Sequence, residues 1–394
     1  MAASRLGWAA LLLRVPSVSS QACAPMRVVY APGTDLIGPS MQPDNQYGLE
    51  DGVVIRASLG FRMITAEMYG EPRWVRMRLG VWRSRDGEAW SRERTLRRSS
   101  ARTDGGDAFA ATWGPLFLWD AASARWALSY VSYRSGGHNF SGWTTNWDGR
   151  VRFRYAGVPH DAGLDSDFGD SGKWQEEDQT LLEPDTLGEP WPPCQGLQGT
   201  DSMYPYQLAN GSWAAIVGTS HQESSWKPRR QGEGKWPVSL ATAPKLAGPW
   251  TRYNPDGPPR DTPCLNLSNG HTENPIVSRL PHKGFMAIYD DLAHEFEGFG
   301  YSCSPDGVNW CRGAVLSVPG GCRTPFGLIE LSAEELLRFA SRVDQFGITT
   351  MDAIRAANSS LHWLFYTQTV GGWERFRFVL VERPRFELND TAPC

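Results

Sequence analysis

The chain has no excess of positive charge: 39 Lys and Arg stand against 43 Asp and Glu, for a net charge of −4 and a pI near 6.0. That balance provides no broad basic field for nucleic acid or an anionic membrane surface, so neither is expected as a partner. There is no paired C-x-x-C, no H-E-x-x-H and no Cys/His cluster. No catalytic metal and no cofactor are therefore expected. After Leu13 no apolar run approaches the roughly 20 residues that a membrane helix needs, so no transmembrane segment is expected. What these absences leave is a neutral partner.

What is present is aromatic and turn-rich. The 394 residues include 18 Trp, 12 Tyr and 16 Phe beside 41 Gly and 28 Pro, a mixture that suits many short strands joined by tight turns rather than helical bundles. The N-terminus reads Met1-Ala-Ala-Ser-Arg5, then an apolar run from Leu6 to Leu13, then small residues to Ala22. Residues 1–22 thus have the form of a secretory signal, and 23–394 are expected to make a single domain. Five N-x-S/T sequons, at Asn139, Asn210, Asn266, Asn358 and Asn389, agree with a secreted or lumenal glycoprotein. The seven cysteines fit disulfides in an oxidising compartment, with Cys303 and Cys311, which flank a turn-like Ser304-Pro-Asp-Gly307, as the expected pair. One thiol is left over.

A degenerate phrase recurs five times. It opens with a turn or x-Pro (Glu50-Asp-Gly52, Trp113-Gly-Pro115, Met203-Tyr-Pro205, Glu273-Asn-Pro275, Arg323-Thr-Pro325). It continues through a hairpin into an aromatic or β-branched run such as Gly284-Phe-Met-Ala-Ile-Tyr289, and closes on a further strand, often with a Trp. Three or four strands per phrase, repeated five times, predict an all-β five-bladed β-propeller with blades at 47–98, 108–178, 200–253, 271–315 and 322–383. A large β-sandwich with irregular loops is the alternative. Ser332-Ala-Glu-Glu335 is a capping-box pattern followed by Leu336, Phe339, Ala340 and Val343 at helical spacing, which predicts a short inserted helix near the C-terminus.

In a propeller the openings of the innermost strands converge at one end of the central channel. Acidic residues mark three of them: Asp51, Asp201 and Glu273. Trp113 and Arg323 stand at the other two. Asp51 and Asp201 precede turns, where Asp often serves only to bind backbone amides. Glu273 is harder to explain that way, since a Glu starting an apolar strand needs a partner.

The order of these acids resembles the five-bladed glycosidases of glycoside hydrolase families 43 and 32, over roughly 47–383. The resemblance implies Glu273, in Glu-Asn-Pro, as general acid. It implies Asp201 as the residue that raises the acid's pKa and orients the sugar, and Asp51 as base or nucleophile. It further implies a glycan or oligosaccharide substrate, and Ser239-Leu-Ala-Thr-Ala-Pro-Lys-Leu-Ala-Gly-Pro-Trp250 is similar to a structural phrase of family 43. At the first site the family's Asp-Pro is Asp-Gly here, and neighbouring Glu50 could be the counterpart. The Trp-Met-Asn-Asp-Pro-Asn-Gly opening of fructan-cleaving members is missing, which argues against sucrose or fructan.

Trp113, Tyr204, Trp143 and Trp147 are candidates to stack on a sugar ring, although most Trp here are core residues. Arg323 could bind an acidic sugar or pair with the carboxylates. His271 could donate to substrate or bind an ion. The Ser84–Trp90 and Ser304–Trp310 phrases resemble the Asp-box turns of sialidases and are read as scaffold. The expected protein is a monomeric secreted glycoside hydrolase, or alternatively an inactive carbohydrate-binding or extracellular interaction propeller.

Overall fold

The computed structural model describes residues 23, 25–135, 147–155, 179–182, 200–218, 238–253, 265, 267, 272–280, 284–291, 298–311, 313–345 and 359–384. They form twenty strands and one α-helix. Five consecutive antiparallel meanders follow the five sequence phrases. They are β2 (Gly48–Ala57), β3 (Gly60–Met68), β4 (Met77–Ser84) and β5 (Trp90–Arg98); β6 (Ala111–Asp120), β7 (Arg125–Ser135), β8 (Trp147–Tyr155) and β9 (Gln179–Leu182); β10 (Ser202–Gln207), β11 (Trp213–Gly218), β12 (Val238–Ala243) and β13 (Thr251–Arg252); β14 (Glu273–Arg279), β15 (Phe285–Asp290), β16 (Gly298–Ser304) and β17 (Ala314–Ser317); and β18 (Pro325–Glu330), β19 (Ser359–Val370) and β20 (Trp373–Pro384).

Three meanders are separate four-stranded sheets. The first and last are joined into one sheet by a single parallel pair, Gly48 with Glu374. The last meander has only three strands of its own, and a strand the sequence phrases did not reveal, β1 (Arg27–Tyr30), completes it by pairing antiparallel with β20. β1 and β20, far apart in sequence, therefore lie side by side in one sheet.

The first strands of successive meanders lie side by side: β2 beside β6, β6 beside β10, β10 beside β14, β14 beside β18, and β18 beside β2. Apolar layers fill the space between neighbouring sheets. Ile64, Leu79 and Val81 meet Leu116, Tyr130 and Phe153, while Ile288 and Phe299 meet Leu364 and Val379. Because both faces are covered, β15 and β16 are buried at every position, which is why Phe285–Tyr289 of β15 reads as a continuous apolar run and not as alternation. The outer β5 meets solvent and carries Arg and Glu.

The helix, α1 (Ala333–Gln345), forms where its capping box predicts. Ser332 N–H donates to Glu335 Oε2 (2.7 Å) and Glu335 N–H to Ser332 Oγ (3.3 Å), so two otherwise orphaned amides are satisfied reciprocally. Both Asp-box phrases are turns. In the first, Asp86 Oδ1 accepts from the amides of Glu88 and Ala89 at 2.9 and 2.8 Å; in the second, Asp306 Oδ1 accepts from Val308 and Asn309 at 2.8 and 2.7 Å. Burial acts to raise the pKa of each Asp, but these amide bonds outweigh it and hold the carboxyls below their usual range. Gly87 and Gly307 both have φ +81°, the left-handed region that a side chain resists.

The expected Cys303–Cys311 pairing is not what forms. Cys303 is bonded to Cys23, and Cys311 is disulfide-bonded elsewhere. The reason is direction: the Cys303 side chain points into the apolar layer that Cys23 and Met26 also enter, so the disulfide ties the segment before β1 to β16. Hairpin neighbours in sequence were the wrong guide. Cys194, Cys264 and Cys394 lie outside the described residues, as do residues 1–22 and the sequons at Asn139, Asn266, Asn358 and Asn389.

A buried charge cluster sits on β3. Glu67, fully buried, accepts from Arg78, from Arg92 (Nε at 2.9 Å) and from Trp82 Nε1 (2.9 Å). It fits because residue 80 on the neighbouring strand is glycine; a Cβ there would run into Glu67 Oε1. Gly80→Ala is expected to lower stability by about 1–3 kcal/mol, because the ion network cannot yield without losing bonds. Thermal unfolding of the variant against wild type checks this, and an unchanged melting temperature would contradict it.

Candidate active site

The openings of the five first strands carry Glu50, Trp113, Asp201, Glu273 and Arg323. Four of these strands are irregular just there. Strand register skips Asp51 in β2, Gly114 and Pro115 in β6, Asn274 and Pro275 in β14, and Phe326 in β18. Asp51, Gly114 and Asn274 adopt left-handed φ values of +47°, +51° and +48°. A bulge of this kind leaves one residue out of the ladder and re-aims its side chain. Asp and Asn tolerate the left-handed region better than most residues, which is the local reason they can stand at 51 and 274.

Arg323 is the hub. Its Nη2 lies 2.9 Å from Glu50 Oε1, and its Nη1 lies 2.8 Å from Asp290 Oδ2 and 3.3 Å from Glu273 Oε2. Of the two uses open to Arg323 from sequence, pairing with carboxylates is the one the structure displays. Glu50 also accepts from Trp74 Nε1 at 3.1 Å, so its two oxygens are both engaged. Asp51 differs from its neighbour: its Oδ1 is buried with no hydrogen-bond donor in reach. Burial, then the charges of Glu50, Glu273 and Asp201, push Asp51 well above its ordinary value, with Arg323 pulling the other way.

Asp201 accepts a hydrogen bond from the Tyr133 hydroxyl on β7. Burial raises Asp201 to about 6; the Tyr133 bond opposes that, the charge of Glu50 adds to it, and Arg323 again opposes. Glu374, on β20, is raised to about 7 by burial and by Glu50, against Arg323, Thr369 and Arg73. These carboxyls feel one another, so they bind and release protons as a set.

A native pKa above the unfolded value means the folded state holds the proton longer. Asp201 therefore costs stability as pH rises from about 4 through 6. Tyr133→Phe removes a donor that favours the carboxylate, so Asp201 is expected to titrate above about 6 in that variant. Carboxyl carbon NMR measures it, and a downward move would contradict the assignment.

Beneath the carboxylates is a cavity of about 30 Å³ to which all five first strands, or the residues just before them, contribute; its lining includes Asp51, Gly114, Ser202, Tyr204, Asn274 and Thr324. Tyr204 thus lies beside the acids. Trp113 is buried, with its indole N–H donated to Trp74 O at 3.1 Å. His271 and Trp143 lie outside the described residues, and only the backbone of Trp147 is described.

No protein-family model matches the chain, and no curated protein does. Solved structures do. One described as "Glycoside hydrolase" superposes with a TM-score of 0.51 at 13% identity, covering 95% of each chain. Another, a BT0996 RGII complex, gives 0.51 at 14% identity over 95% of this chain and 96% of that one. Zg3597, a family 117 glycoside hydrolase from the marine bacterium Zobellia galactanivorans, gives 0.51 at 13% over 91% and 90%. The chain has a glycoside hydrolase-like propeller fold.

Within this glycoside hydrolase-like fold, four members of the polar cluster escaped sequence reasoning. Tyr133, Asp290 and Glu374 sit on the second or third strands of their meanders, and Trp74 in the turn before β4. Asp290 had a usable signal: it ends the hairpin partner of the strand that Glu273 opens, and the two pair directly. Tyr133 and Glu374 had none, since they reach the site from strands of other meanders.

Proposed function

We propose that this protein is a glycoside hydrolase, a five-bladed propeller of blades 47–98, 108–178, 200–253, 271–315 and 322–383, acting on a glycan or oligosaccharide. The observation that carries the reading is the gathering of Glu50, Asp51, Asp201 and Glu273 around one guanidinium at the strand openings. The side-by-side order of the five first strands supports the blade count. The solved glycoside hydrolases of like fold support the substrate class.

In this reading Glu273 gives its proton to the glycosidic oxygen, the sugar–oxygen bond breaks, and water attacks the anomeric carbon while Asp51 takes the water's proton. Asp51 suits the base role better than Glu50, because Glu50 is held by Arg323 and Trp74 whereas no protein group donates to Asp51 Oδ1. Asp201, fixed by Tyr133, tunes the acid and orients the ring. Residues 1–22 act as a signal peptide, and the mature monomer is secreted or lumenal, in keeping with the Cys23–Cys303 disulfide.

The test is a panel of neutral glycans with product anomers followed by NMR. Release of sugar with inverted configuration is expected. Retention would move Asp51 from base to nucleophile. One observation favours a second reading, binding without turnover: Glu273 rests against Arg323, a contact the acid must loosen to work. Glycan-array binding with no product from any bound glycan would establish that reading instead.

A further inference from the structure

The cavity below the acids combines two features that conflict if no further ligand is bound. Its walls are largely apolar or lack side chains: Gly52, Gly114, Leu116, Met203 and Ile276. Yet three of its lining residues, at the openings of three different meanders, each carry a buried oxygen with no hydrogen-bond partner in the protein: Asp51 Oδ1, Ser202 Oγ and Thr324 Oγ1. Asp51 is 6% exposed, Ser202 7% and Thr324 0%, so bulk solvent does not satisfy them. Leaving one such group unpaired costs about 1–3 kcal/mol, and three in one place is a cost that folded proteins relieve with a bound molecule.

Size selects the ligand. About 30 Å³ has room for one or two waters, since a site needs roughly 10–15 Å³ for the first. Charge disfavours an anion independently, because Glu50, Glu273 and Asp201 act electrostatically on Asp51 in the cavity wall.

We infer that this cavity is a water site, with one water donating to Asp51 Oδ1 and held from the other sides by the hydroxyls of Ser202 and Thr324. The water gives Asp51 the hydrogen-bond donor that no protein group supplies. It faces Asp51 from inside the channel, below the ring of acids, and so is distinct from a water approaching a bound sugar. This inference does not depend on turnover.

The experiment is a crystal structure of the full chain at a resolution that shows ordered water, grown with rubidium chloride as the only monovalent salt. The expected result is a water-height peak at about 2.7–3.0 Å from Asp51 Oδ1 with no rubidium anomalous signal. An anomalous peak there would overturn the proposal in favour of a cation site, and a cavity with no density would overturn it outright. Thr324→Val keeps the side-chain shape while removing one hydroxyl. In that variant the peak is expected to be lost or displaced and the Asp51 carboxyl, read by carbon NMR, to titrate at higher pH. An unchanged peak and titration in folded Thr324→Val would also count against the proposal. Ser202→Ala gives the same reading if Thr324→Val fails to fold. Because neither readout needs a substrate, failure here is distinguishable from failure of the glycosidase reading.

Discussion

Glu273→Gln is expected to cut glycan hydrolysis by about 10²–10⁴-fold while leaving the fold intact. Gln has the shape of Glu but cannot deliver a proton to a leaving oxygen, so the change removes the acid and little else. Glu273 is the first residue of β14, opposite Asp290, and is only partly buried. Its contact with Arg323, at 3.3 Å, is the longest of the three that Arg323 makes with carboxylates. Losing one charge there leaves Arg323 still paired to Glu50 and Asp290, so melting temperature should hold. A substrate whose leaving group needs no protonation, such as an activated aryl glycoside, should lose much less rate. Full activity of Glu273→Gln on an unactivated glycan would remove Glu273 from the mechanism.

Arg323→Met is expected to lower stability by about 3–5 kcal/mol at neutral pH, the largest structural effect in the molecule. Glu50 and Asp290 have side chains 2% and 0% exposed, and both rely on this guanidinium for compensation. The loss should depend on pH in a stated direction. Arg323 works against the raised pKa of Asp51, Asp201 and Glu374, so its removal raises all three further. Groups with native pKa above the unfolded value destabilise as pH rises, so the variant should recover much of its deficit when carboxyls are protonated near pH 5. Thermal unfolding at pH 5 and pH 8 reads this. A deficit that is equal at both, or small at pH 8, would mean that Arg323 is not the compensating charge.

How much of this was legible beforehand depends on how local each feature is. The helix follows from Ser332 and Glu335, three residues apart, and the two Asp turns from Asp86 and Asp306 bonding amides two and three residues on. Those are short-range rules and the sequence displays them. The pairing of Cys303 with Cys23 spans 280 residues and depends on which face of β16 meets the N-terminal segment, so the nearer Cys311 misled. The fourth strand of the last meander was hidden for the same reason, because β1 precedes every repeat and pairs with the chain's last strand.

The site divides in the same way. The repeat was enough to put Asp201, Glu273 and Arg323 at strand openings, because position within a repeated sheet is a sequence property. Between Glu50 and Asp51 it left a one-residue ambiguity. Assembly of the sheets gives the two different surroundings, since the bulge at Asp51 takes that residue out of the ladder while Arg323 and Trp74, arriving from elsewhere, engage Glu50. Protonation belongs wholly to the fold: burial and neighbouring charge raise Asp51, Asp201 and Glu374, and neither exists until the sheets pack. That Asp201 and Glu273 would open neighbouring first strands was written in the order of residues along the chain; that Asp290 and Glu374 join them, and which acid is bound by a cation, which held by a tyrosine and which left without a donor, depended on side chains brought in from other strands.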